Sequence, residues 1–76
     1  MITIRYFGSL KESLGKSFET VEAVENLTVL DIWNLVNSDF SIAENILTAI
    51  NMDYVPRSEM VKNGDEVAFF PPVTGG

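Results

Sequence analysis

Thr28-Val29-Leu30-Asp31-Ile32-Trp33-Asn34-Leu35-Val36-Asn37-Ser38-Asp39-Phe40 is the stretch on which the fold turns. Thr28, followed three residues on by Asp31, has the form of a capping box. Hydroxyl and carboxylate each satisfy a backbone N–H that the first helical turn leaves without a partner. Behind it, Val29, Ile32, Trp33, Val36 and Phe40 recur at helical spacing and predict one apolar stripe. Trp33 lies in that stripe and is expected in the core.

The flanking segments read as strands. Ile2, Ile4 and Tyr6 alternate with Thr3, Arg5 and Phe7, the period of a half-buried strand. Residues 9–14 predict a short helical turn stopped by Gly15, and residues 18–24 a second strand pairing back on the first. Beyond the main helix, residues 42–47 read as another turn and 48–51 as a third strand. Tyr54-Val55 is a short extended piece stopped by Pro56. Asn63-Gly64 then turns the chain into a final strand, residues 66–70. Two strands, a helix and further short strands predict an α+β chain of the β-grasp, or ubiquitin-like, type. A mixed sheet curls around one main helix, with residues 1–70 as the domain and 71–76 as a tail.

Composition narrows the chemistry. Seventy-six residues, 46% hydrophobic and 21% charged, make one small globular domain. No apolar run nears the ~20 residues needed to cross a bilayer, and no signal peptide is visible, so the cytoplasm is expected. With neither cysteine nor histidine, the chain offers no disulfide, thiol nucleophile, Ser-His-Asp triad or typical zinc site. A net charge of −6 disfavours nucleic acid and anionic membranes, and it serves either to steer the chain toward a basic partner surface or simply to keep it soluble. Asp65 and Glu66, adjacent in a turn and a strand, diverge and read as surface or partner-binding groups rather than a general acid/base pair.

The tail is Pro71-Pro72-Val73-Thr74-Gly75-Gly76. Two prolines stiffen it, and a glycine pair fits a narrow slot that no Cβ could enter. At about 3.3 Å per residue it reaches roughly 20 Å, enough to enter a partner's active site with the Gly76 carboxyl leading. Thr74 either hydrogen-bonds inside such a channel or is there because it is small. In the final strand Val67 and Phe69 face inward, while Glu66 marks the other face as solvated and leaves Phe70 exposed beside the tail. A β-grasp sheet sets the first and last strands side by side, making Phe7 a neighbour of Phe70. This pair is expected to form a docking patch, with Tyr54 a third member, the alternative being that short loops cover both rings as a second core cluster.

The run Asn63-Gly64-Asp65-Glu66-Val67-Ala68-Phe69-Phe70-Pro71-Pro72-Val73-Thr74-Gly75-Gly76 closely resembles the small, sulfur-carrying subunit of molybdopterin synthase. In that family a Gly-Asp-Glu-hydrophobic-Ala strand enters Phe-Pro-Pro-Val, a small residue and a terminal Gly-Gly. Phe7, Glu12 and Gly15 fit a second pattern, with Lys11 where arginine is commoner, and Ala49-Ile50-Asn51 fits a third. The resemblance implies a sulfur carrier with no stably bound cofactor or metal. A ubiquitin-activating-like adenylyltransferase consumes ATP to form a transient glycyl-adenylate on Gly76, and a sulfur donor converts it to a thiocarboxylate. The tail, Pro71 to Gly76, then enters the large catalytic subunit, in a heterotetramer of two large and two small subunits docked through Phe7, Tyr54 and Phe70. There sulfur passes to a cyclic pyranopterin monophosphate. The alternatives are a carrier of the thiamine pathway or a ubiquitin-like protein modifier.

Overall fold

The computed structural model describes residues 1–71. In chain order the elements are β1 (Ile2–Tyr6), α1 (Gly8–Leu14), β2 (Phe18–Val21), β3 (Leu27–Thr28), α2 (Val29–Val36), β4 (Leu47–Ile50), β5 (Asp53–Tyr54), β6 (Met60–Val61) and β7 (Glu66–Phe70). Five strands form one mixed sheet in the order β2-β1-β7-β4-β5, and β3 pairs with β6 in a separate ribbon. Among the described residues, only β1 and β7 pair in parallel, with Ile4 opposite Val67 and Tyr6 opposite Phe69. This is the β-grasp arrangement, with α2 packed on one face of the sheet.

The helix starts as its sequence dictates. The Asp31 N–H donates to Thr28 Oγ1 at 3.1 Å, and the Thr28 N–H donates to Asp31 Oδ2 at 3.0 Å. The backbone and hydroxyl of Thr28 hold the Asp31 carboxyl below the usual carboxylate range. Thr28→Ala should cost about 1 kcal/mol in urea unfolding; an unchanged midpoint would mean the cap contributes nothing.

Val29, Ile32 and Trp33 are fully buried. Trp33 meets Phe69 edge-on at 5.0 Å between centroids, and Phe69 stacks on Tyr6 at 5.9 Å. Ile2, Ile4 and Val67 complete this core. The Tyr6 hydroxyl reaches the edge of the core, where it donates to Glu19 Oε2 at 2.6 Å and accepts from Asn37 Nδ2 at 3.0 Å. Burial, reinforced by Glu19, raises its pKa and keeps the proton on the phenol.

Four expectations need correction. The stripe stops at Val36: Asn37 leaves helical geometry at φ −130°, and Phe40 lies outside the helix, 55% exposed. Asn37, Ser38 and Asp39 favour caps and turns over helix interior, although the Phe40 carbonyl still accepts from Trp33 Nε1 at 2.8 Å. Strand β2 ends at Val21, not residue 24, because Val21 pairs with Ile2, where β1 begins. Strand β4 starts one residue earlier than predicted and stops before Asn51, whose φ of 50° breaks the ladder. Finally, Phe70 is half-buried, not exposed, and Ala68 on the same face is buried, because that face carries its own aromatic cover.

Candidate functional site

Antiparallel pairing of β4 with β7 sets Ala49 opposite Ala68 and Leu47 opposite Phe70. The two alanines make a low floor on the sheet face turned away from α2, and larger side chains rise around it. Phe70, the last residue of β7, stacks on Phe7 at 4.7 Å with ring planes 10° apart. Tyr54 comes from the next strand, paired with Ala49, and presents its ring to Phe70 at 5.9 Å and 61°. Tyr54 is held there by Thr48, whose carbonyl accepts from the Val55 N–H at 3.0 Å and whose hydroxyl donates to the Val55 carbonyl at 2.6 Å. The result is an apolar recess of about 320 Å³ lined by Phe7, Ala49, Met52, Tyr54, Glu66, Ala68 and Phe70.

The three residues expected to form a docking patch are thus brought together, and Phe70 is its half-covered centre. Phe7 and Tyr54 remain 41% and 71% exposed, more apolar surface than a free domain gains by showing. A larger hollow of about 550 Å³ lies along Ile46, Leu47, Tyr54 and Arg57. The Arg57 guanidinium there is engaged by the carbonyls of Ala43 and Ile46, which makes it a brace for the 43–46 loop.

The rim of the recess is polar. Arg5 Nε pairs with Glu66 Oε2 at 2.8 Å, an exposed contact whose net worth is on the order of 0–1 kcal/mol. Asp65 is bound into the turn before β7, accepting from the Lys62 N–H at 2.8 Å and from Asn51 Nδ2 at 3.0 Å. Neither carboxylate is oriented toward the other as an acid/base pair requires. Among the described residues, no cluster of acids is arranged to hold a metal ion.

The tail begins against the body. Phe7 ends the extended run at φ −120°, and Gly8 turns into α1 at φ +59°. A Cβ on Gly8 would lie 2.9 Å from Pro71 Cγ, so this glycine lets Pro71 pack beside the Phe7–Phe70 stack, where it is half-buried. Pro72, Val73, Thr74, Gly75 and Gly76 lie outside the described residues.

Sequence reasoning missed Met52 and the hairpin that carries it. Its signal was Asn51, a residue tolerant of left-handed backbone, two positions before Asp53; without a glycine the pair does not read as a turn.

Known proteins match the chain along nearly all of its length. Residues 4–76 match the ThiS family. The molybdopterin synthase sulfur carrier subunit of Haemophilus influenzae is 40% identical over 85 aligned positions, covering all of both chains. SAMP1 from Haloferax volcanii superposes with a TM-score of 0.80 at 25% identity, over 99% of this chain and 98% of that one. A chain of the Amycolatopsis orientalis BexX/CysO complex, also 25% identical, aligns over the whole of both chains with a TM-score of 0.72.

Proposed function

The chain belongs to the ThiS family, and from that premise we propose that it is the sulfur carrier subunit of a molybdopterin synthase, acting in the cytoplasm. The observation that carries this reading is full-length identity of 40% to a subunit of that name, covering both chains completely. The apolar recess beside the start of the tail supports it, since a carrier needs a place to be gripped while its end is worked upon.

The chemistry follows from what the chain lacks. A carboxylate is a poor electrophile, being anionic and without a leaving group. In the proposed sequence the Gly76 carboxylate attacks the α-phosphorus of ATP on an adenylyltransferase and displaces pyrophosphate. Hydrosulfide, the sulfur nucleophile that needs no further reductant, then attacks the acyl carbon and displaces AMP, leaving a thiocarboxylate, which is the split-step logic of covalent catalysis. With no Cys or His in the sequence, the catalytic groups belong to the partners. The carrier supplies reach, through Pro71 and Pro72, and a slender end, through Gly75 and Gly76. Docking on the large subunit through Phe7, Tyr54 and Phe70 then directs the tail to a cyclic pyranopterin monophosphate. Two carriers and two large subunits make the assembly that delivers both sulfurs.

Reconstitution tests this reading. Thiocarboxylated carrier mixed with the large subunit and the cyclic pterin should yield molybdopterin as the thiocarboxylate reverts to carboxylate. No turnover, under conditions in which an established carrier supports it, would refute the assignment. Phe70→Ala should weaken large-subunit binding by about 2 kcal/mol in calorimetry. Unchanged affinity with a loss of fold stability would instead make the ring a structural cover for Ala68. The likeness to SAMP1, a small archaeal modifier protein by name, favours protein modification as a second reading, and Gly76 found in isopeptide linkage to cellular lysines would support it.

A further inference from the structure

The hairpin between β4 and β5 has a two-residue turn, Asn51-Met52, closed by the Ile50–Asp53 pair. Both turn residues have positive φ, 50° and 72°, as a type I′ turn requires. Asn is well suited to that geometry, but methionine at the second position is not; glycine is the residue this turn selects. Met52 therefore carries backbone strain, and its side chain obtains no compensating burial, being 89% exposed, the most exposed of the domain's large apolar residues among those described.

The turn is also anchored. The Asn51 N–H donates to the Glu66 carbonyl at 2.8 Å, Asn51 Oδ1 accepts from the Glu66 N–H at 2.9 Å, and Asn51 Nδ2 donates to Asp65. The side chain of Asn51 thereby fastens the hairpin tip to the start of β7. Met52 is held on a fixed support at the lip of the recess that Phe7, Tyr54 and Phe70 enclose.

We propose that Met52 is a fourth docking anchor, held out by this strained turn to enter an apolar recess on the large subunit. This inference rests on the docking reading given above. The flexible thioether suits an irregular partner surface. Asp53 and Asp65 flank the turn, and Glu66 stands on the adjoining strand. The protein as a whole carries −6. The recess that receives Met52 is thus expected to be rimmed by lysine or arginine. Strain at this position is retained because glycine, though better for the turn, would remove the anchor.

The test pairs stability with binding to the purified large subunit. Met52→Gly should raise the melting temperature by about 2–6 °C and weaken binding roughly five- to tenfold, chiefly through faster dissociation. Met52→Leu should restore affinity to within about twofold of wild type. If Phe70→Ala weakens binding but Met52→Gly leaves it unchanged, the Met52 inference fails and the docking reading stands. If wild-type carrier does not bind the large subunit, both fail. A fall in melting temperature for Met52→Gly alongside lost affinity would assign Met52 to the fold and overturn the proposal.

Discussion

Removal of Gly76, or addition of one residue after it, should abolish sulfur loading and leave thermal unfolding unchanged. The expectation follows from the proposed role of the Gly76 carboxyl as the reacting group. One residue shifts an extended carboxylate by about 3.3 Å, and a misplacement of about 1 Å already costs on the order of 10²-fold in rate. On the proposed reading, an appended residue also puts added bulk into a partner channel shaped for the glycine pair. Because the core lies within residues 2–69, neither change touches its packing. Mass spectrometry after incubation with ATP, the adenylyltransferase and a sulfur source reads the outcome directly. Normal loading of either variant would show that the sulfur does not travel on Gly76.

Trp33→Ala should destabilise the domain by about 3–5 kcal/mol, the largest effect expected of any single core substitution. The indole is 2% exposed, packs edge-on to both Phe69 and Tyr6, and hydrogen-bonds the Phe40 carbonyl. Deleting it leaves a cavity between the helix and the sheet and removes the donor that the part-buried Phe40 carbonyl accepts from. At roughly 0.05–0.15 kcal/mol per residue, a domain of this length has about 4–11 kcal/mol in all. The variant should therefore unfold at much lower urea, with large-subunit binding lost as a consequence. A change below about 1 kcal/mol would contradict the packing described for α2.

The parts legible in the sequence are those in which a local pattern carried the physical cause. The Thr28–Asp31 box announced its helix because both capping groups lie within one turn. The β1 and β7 alternations announced their inward faces because one side of each strand is apolar. Phe7 and Phe70 were placed together by topology alone. What stayed hidden depends on contacts remote in sequence. Strands β3 and β6 are two residues each, too short for any period, and exist because α2 must be tied at its start to the segment before β7. The end of β2 is set by where β1 begins. Phe70 reads as solvent-facing beside Glu66, yet becomes half-covered once Phe7 and Tyr54 arrive from other strands. Met52 was invisible because its turn is stabilised by the Asn51 side chain bonding to Asp65 and Glu66, not by a glycine.

The central claim is that this domain carries sulfur on the Gly76 carboxyl. The intact mass of the protein isolated from its own cells tests it most directly. A fraction heavier by the oxygen-to-sulfur difference, localised to the C-terminal peptide and lost on hydrolysis, is the predicted result. A carrier that remains a plain carboxylate in cells equipped to make molybdenum cofactor, with the large subunit's turnover blocked so that loaded carrier accumulates, would contradict it.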